Sequence, residues 1–213
     1  MIQLEHVTKR LKNQIILNNI SVNLSEGKCY GIVGYNGCGK TMLLRAICGF
    51  MSIDSGEVIV DGKRIGKEQD FLPEAGVIIG ETGFLNGRTG FENLKILAEI
   101  RNRITDEDIL KTMDSVGILY AKDKKVRKYS LGMKQRLRLA QALMEDCGTL
   151  VLDEPFNALD KEGIHEIQQC LLKAKNKGKT ILLTSHDDRN ITLLCDRVLE
   201  MDNGEIVSER ENK

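Results

Sequence analysis

The chain holds 213 residues, 31 of them Lys or Arg and 31 Asp or Glu, so its formal net charge is zero. That length allows one sizeable domain with a real hydrophobic core, and the balanced charge argues against nucleic acid as a partner, because phosphate-backbone binding leaves a basic footprint. No apolar run approaches the roughly 18 residues needed to cross a bilayer, and the opening MIQLEHVTKR lacks a signal-peptide pattern, so a cytosolic protein is expected.

In chain order, residues 2–7, 15–24 and 28–33 read as strands, with Glu26 and Gly27 as a turn, and together suggest a β-meander. Gly34, Tyr35, Asn36, Gly37, Cys38, Gly39, Lys40 and Thr41 then fit G-x-x-x-x-G-K-[ST], a phosphate-binding loop. An amphipathic helix over 41–48, opening on Thr41 and Met42, completes the strand–loop–helix setting that such a loop needs. A strand at 57–60 leads into Asp61 and Gly62, a hairpin-turn pair, and 75–79 is a short buried strand. Helices are expected at 89–100, 105–116 and 130–144, the second opening on the capping residues Thr105, Asp106, Glu107 and Asp108. Strand and helix then alternate: 149–152, 161–176, 180–184, 188–194 and 198–201, before Asn203 and Gly204 turn the chain into 205–207. The pattern predicts an α/β fold of the P-loop nucleotide triphosphatase type. It has a parallel-sheet core, an antiparallel N-terminal β-subdomain and an inserted α-helical subdomain at about 85–145, within a single domain spanning 1–213.

The chemistry needs these residues in this order. Gly34, Gly37 and Gly39 let the backbone turn its N–H groups inward as a nest for a triphosphate. Lys40 neutralises the β and γ oxygens, and the Thr41 hydroxyl is a ligand for Mg²⁺. Downstream, an apolar strand ends in Asp153 and Glu154, delivering a metal-binding carboxylate and a candidate general base to the same sheet edge. Ser130 is a candidate N-cap, and Gly132 permits close backbone approach, so that helix start is itself an anion site. Cys29, Cys38, Cys48, Cys147, Cys170 and Cys195 form no C-x-x-C pair and are expected as reduced, mostly buried thiols. Cys38 lies within the loop and is a point of possible chemical inactivation. The run Lys122, Lys124, Lys125, Arg127 and Lys128 reads as a solvated loop. Met133, Leu137, Ala140 and Met144 recur at helical spacing and read as core.

From Tyr129 to Arg136 the chain resembles the nucleotide-binding subunits of ABC transporters, and the resemblance extends over essentially its whole length. In that family the segment is the L-S-G-G-Q signature, which closes over the γ-phosphate held by the opposite subunit. Here Tyr129, Leu131 and Met133 replace the Leu, first Gly and Gln, while Ser130, Gly132, Gln135 and Arg136 remain. The S-L-G-M-K-Q form looks like the branch that exports antimicrobial peptides and drugs. Asn157, Ala158, Leu159 and Asp160 match the D-loop of the dimer interface. His186, following Thr184 and Ser185, matches the switch histidine beside the γ-phosphate, whereas His6 and His165 carry no such expectation.

Two positions depart from the family. Leu11 stands where an aromatic residue usually stacks on adenine, and Gly80 falls where the Q-loop Gln belongs, with Glu81 next and able to reach the metal in its place. The resemblance implies an ATPase using ATP and Mg²⁺. It also implies a homodimer or paralogous heterodimer, and a separate integral membrane permease docked near Phe84, Leu85 and Phe91. The expected place is the cytoplasmic face of the membrane, with export as the direction. A non-transport ATPase of the same type and a weakly hydrolysing regulatory subunit are the alternatives.

Overall fold

The computed structural model describes residues 1–80 and 83–212. Among the described residues, ten strands and six α-helices divide into two sheets and a helical layer. The smaller sheet is antiparallel, in the order β2-β1-β4-β5, and is built from β1 (Ile2–Leu11), β2 (Gln14–Leu24), β4 (Ser55–Val60) and β5 (Lys63–Arg64). The larger has the order β10-β9-β3-β8-β7-β6, from β3 (Cys29–Val33), β6 (Ala75–Ile78), β7 (Thr149–Leu152), β8 (Thr180–Thr184), β9 (Arg197–Asp202) and β10 (Glu205–Glu211). Five of these six strands run parallel, and only β10 pairs antiparallel, with β9.

One sequence expectation is corrected here. The first three strands are no meander, because β3 leaves β2 and takes a central place in the other sheet between β8 and β9. Its residues explain why. Cys29, Tyr30 and Ile32 are all fully buried, so both faces of the strand need cover, which a half-solvated meander strand does not have. The same two-sided burial holds across the sheet. Leu150, Leu152, Ile181, Leu183 and Val198 face one apolar core, and Val151, Leu182, Tyr30, Ile32 and Leu199 face the other.

The first core is roofed by α2 (Gly90–Arg101), α3 (Asp106–Ser115) and α4 (Leu131–Leu143), which lie between β6 and β7 in the chain, and by α5 (Lys161–Asn176) and α6 (Asp188–Leu194). The second holds α1 (Lys40–Cys48) between the two sheets. Two short 3₁₀ turns, Leu119–Ala121 and Val126–Lys128, join α3 to α4. The helix starts follow local chemistry. Thr89 and Thr105 form full capping boxes with Glu92 and Asp108, and Ser130 and Asp160 cap α4 and α5. Each such cap stabilises its helix by about 1 kcal/mol. Both predicted two-residue turns form with positive φ at both positions, Asp61 and Gly62 at 50° and 79°, Asn203 and Gly204 at 47° and 81°. Helix α4 lies directly on β6: a Cβ at Gly76 would stand 1.9 Å from the Ala142 carbonyl oxygen, so only glycine fits.

Candidate nucleotide site

The phosphate loop joins β3 to α1 and is braced from the side by the β9–β10 hairpin. The Gly204 N–H donates to the Cys38 carbonyl at 2.9 Å. A Cβ at Gly34, whose φ is 143°, would sit 2.3 Å from the Met201 carbonyl oxygen, so the first loop position must be glycine. Helix α1 differs from the other five α-helices: its N-cap is Gly39, and no side chain accepts from its first turn. Thr89, Thr105, Ser130, Asp160 and Asp187 all do so elsewhere. The first-turn N–H groups of α1 are thus left for an external acceptor, where the helix dipole also favours negative charge.

Lys40 is buried, and its ammonium donates to the Gly34 and Tyr35 carbonyls at 2.6 and 3.1 Å. Those bonds fold the side chain back over the loop. Thr41 Oγ1 donates to Asp153 Oδ2 at 2.8 Å, so the two hard-oxygen groups proposed for a metal already meet. The other oxygen, Asp153 Oδ1, accepts from the Thr184 hydroxyl at 2.9 Å, and that same hydroxyl accepts from the Glu154 N–H at 2.8 Å. Thr184 thereby ties the end of β8 to the end of β7. Glu154 sits at φ 50°, an uncommon value for a residue with a Cβ, which turns the chain sharply after β7. His186 Nε2 lies 2.9 Å from Glu154 Oε1. Burial pushes the Glu154 carboxyl above its ordinary value. His186 and Lys40 pull it back down, and the charge of Asp153 pushes it further up.

The structure therefore brings Lys40, Thr41, Asp153, Glu154 and His186 together at the carboxyl ends of β3, β7 and β8. Ser130 and Gly132 stand apart from them. Ser130 Oγ accepts from the Met133 N–H at 3.2 Å, and a Cβ at Gly132 would lie 2.8 Å from the Ala158 carbonyl oxygen. Among the described residues, no hydrogen bond joins either to the phosphate loop. Tyr35 and Asn36 are on the loop's outer surface, Met42 begins α1, and Cys38 is buried against the loop backbone, which shields its thiol. Glu81 lies outside the described residues. Gly80, with φ 65°, closes the segment before it. Leu11 is 42% exposed at the end of β1.

Two residues named in the sequence make contacts that the sequence does not show. Thr184 was visible only as the first residue of the Thr-Ser-His run, with no signal that its hydroxyl would serve both Asp153 and Glu154. Gln135, buried, donates its amide to the Pro155 and Glu154 carbonyls at 2.9 and 3.3 Å, linking α4 to the turn that carries the carboxylates. A cavity of about 630 Å³, lined by Ala46, Ile53, Val58, Arg64 and Phe71, lies behind the C-terminal end of α1 and touches none of these groups.

Comparison with known proteins agrees with this geometry. Residues 17–157 match the family described as ABC transporter. An uncharacterized ABC transporter ATP-binding protein of Bacillus subtilis, YybJ, is 42% identical over 206 residues, covering 97% of this chain and 94% of that protein. The lantibiotic transport ATP-binding protein SrtF of Streptococcus pyogenes is 31% identical over 211 residues, covering 99% and 91%. The fold superposes on the dimeric ATP-binding cassette MJ0796 bound to ADP and Pi with a TM-score of 0.91 over 100% of this chain and 99% of that one, at 24% identity. On the family match and these identities, the chain belongs to the ABC transporter ATP-binding family and is an ATPase of that type.

Proposed function

We propose that the chain hydrolyses ATP to drive transport, most specifically export, through a separate membrane permease. Two cassettes would close head to tail over two nucleotides. The observation that carries the catalytic half is the wiring of Thr41, Asp153, Thr184, Glu154 and His186 beneath an uncapped α1. The loop N–H groups and the α1 dipole would hold the β and γ phosphates, with Lys40 leaving the Gly34 and Tyr35 carbonyls for them. Mg²⁺ fits the donor set, because Thr41 and Asp153 offer two oxygens at one point and this ion takes few protein ligands, completing its shell with water and phosphate. When bound it would neutralise charge developing on the phosphates. Glu154 would accept the proton of the attacking water, and His186, at its carboxylate, would orient that water and the γ-phosphate.

For the transport half, no described helix is long and apolar enough to cross a membrane, so the translocation path would come from another chain on whose cytoplasmic side this one sits. The direction is suggested by SrtF, named for lantibiotic transport. Phe84 and Phe91 pack partly buried beside the first core and Leu85 is exposed, which leaves Leu85 as the apolar side chain available to a permease. Copurification tests this: the chain should bring down a polytopic membrane protein that raises its ATPase rate, and purification with ribosomes or DNA would refute it. A second reading, slow hydrolysis beside a better-equipped paralogue, is favoured by Gly80, which has no side chain to offer at the Q-loop position. Glu81→Ala separates the two. Loss of permease-stimulated turnover at unchanged ATP affinity supports Glu81 as the substitute, whereas unchanged stimulation favours the regulatory role.

A further inference from the structure

Strand β8 delivers His186, but its hydrogen bonds stop short of the imidazole. The Thr184 hydroxyl ties the end of β8 to the Glu154 N–H, and the ring that lies against Glu154 Oε1 belongs to a residue further on. The His186 side chain is 48% exposed, so packing alone does not hold it. A half-exposed imidazole keeps its direction only if the backbone beneath it is fixed.

Three polar side chains behind that turn fix it. Ser185 Oγ accepts from the Asp187 N–H at 3.1 Å, which clasps the chain on either side of His186. Behind the clasp lies Asn190 on α6, only 2% exposed. Its Nδ2 donates to Ser185 Oγ at 3.4 Å, and its backbone N–H donates to the Asp187 carbonyl at 3.0 Å. Its Oδ1 accepts from Gln168 Nε2 at 2.8 Å. Gln168 belongs to α5, which Ile167 and Leu171 seat in the first core, both fully buried. Helix α5 opens at the Asp160 cap, on the segment that leaves Glu154. Both sides of the Glu154–His186 contact are therefore referred to one rigid helix.

A leucine of similar volume would seat α6 on this core without burying an amide. What the amide adds is direction, because it holds the clasp hydroxyl on one side and α5 on the other. We propose that Asn190, backed by Gln168, is a positioning residue for His186 in ATP hydrolysis. It acts through the Ser185 clasp and not on the nucleotide. This rests on the reading of His186 as the group that orients the attacking water and the γ-phosphate. Loosening the clasp lets the imidazole swing off Glu154. That displacement slows the chemical step more than it weakens nucleotide binding, which the phosphate loop and α1 supply.

The experiment measures kcat and KM for Mg·ATP by phosphate release in wild type, Asn190→Leu, His186→Ala and the double variant, with circular dichroism to check folding. Asn190→Leu should lower kcat about tenfold and change KM by less than about twofold. His186→Ala should lower kcat at least as far. In the double variant, Asn190→Leu should cost less than about twofold beyond His186→Ala, because a residue that acts through the imidazole then has nothing to position. A folded Asn190→Leu protein with wild-type kcat overturns the proposal. So does an equal loss in both backgrounds, which is what a purely structural role produces, and so does a loss carried in KM. If Asn190→Leu does not fold, Gln168→Leu on half-buried α5 surface takes its place. There kcat should fall about threefold, only where His186 is present, and an unchanged kcat overturns the proposal. If His186→Ala keeps the wild-type rate, the reading of His186 fails and the proposal with it. If His186→Ala is impaired and folded Asn190→Leu is not, the proposal alone fails.

Discussion

At the carboxyl ends of β7 and β8 the polar groups satisfy one another: Thr41, Asp153, Thr184 and the Glu154 backbone form a closed chain of hydrogen bonds. At the start of α4, Ser130 caps its own helix while Lys124, Lys125, Arg127 and Lys128 are exposed, with no carboxylate at ion-pair distance among the described residues. The first region is preorganised, so its dipoles need little rearrangement when charge develops on a phosphate. The second is exposed, and on the proposed reading it would meet a group brought from outside the chain. On the proposed two-cassette reading, catalysis would be switched by whatever brings the second region to the first, and substitutions should separate the two accordingly.

The largest effect is expected at Glu154. Glu154→Gln keeps the shape and removes the base, and hydrolysis should fall by about 10³-fold, measured as phosphate release, with ATP still bound. If turnover survives, the carboxylate is not the base. The pH dependence gives an independent check. Burial raises the carboxyl above its ordinary value of 4.5, and the base must be ionised, so the wild-type rate should already fall at a pH above 4.5. The linkage has the same origin. A carboxyl whose folded pKa is raised contributes stability below pH 4.5, and that contribution is lost as pH rises through the folded pKa. Relative to wild type, Glu154→Gln should therefore melt higher at neutral pH, and the gain should vanish below pH 4.5. A gain that persists in acid would mean that burial does not govern this carboxyl.

Next is Lys40. Lys40→Ala removes the ammonium now shared by the Gly34 and Tyr35 carbonyls, and should lower turnover by about 10²-fold with a matching loss of Mg·ATP affinity. Affinity unchanged in equilibrium dialysis would show that the backbone nest alone holds the phosphates. A smaller effect is expected at Thr184. Thr184→Val leaves Asp153 and the Glu154 N–H without their shared hydroxyl, which should cost about 1–3 kcal/mol of stability and roughly tenfold in rate. Thr184→Ser should restore both. Rescue of stability without rescue of rate would confine the residue to packing.

How much of this was legible in the sequence follows from how local the cause is. The phosphate loop, the two hairpin turns and the capped helices are fixed by residues within a few positions of each other, and they form where the sequence places them. The partner choice of β3 is not local. Its five residues suit either sheet, and only the burial of both its faces commits it to the parallel one. The bonds from Thr184 to Asp153 and from Gln135 to Pro155 join residues 31 and 20 positions apart. A hydroxyl or amide carries no mark of such a distant partner, whereas Asp153 and Glu154 were readable because an apolar strand ending in acid has few other uses beside a phosphate loop.

The smallest effect sharpens the contrast at a third place, the end of β1. Leu11 occupies the position where the resemblance expects an aromatic ring against adenine, and it is exposed at the tip of the β1–β2 hairpin. Like the α4 start, it is an exposed surface. An aliphatic side chain offers area to a base but not the flat face that favours stacking. Leu11→Tyr should add about 0.5–1.5 kcal/mol, which tightens ATP binding by roughly two- to tenfold. The gain should be much smaller for inorganic triphosphate, which has no base to stack. Equal gains for both ligands would place the new ring against the phosphates. No gain for either would show that the base lies elsewhere and that affinity comes almost wholly from the wired region around Lys40 and Asp153.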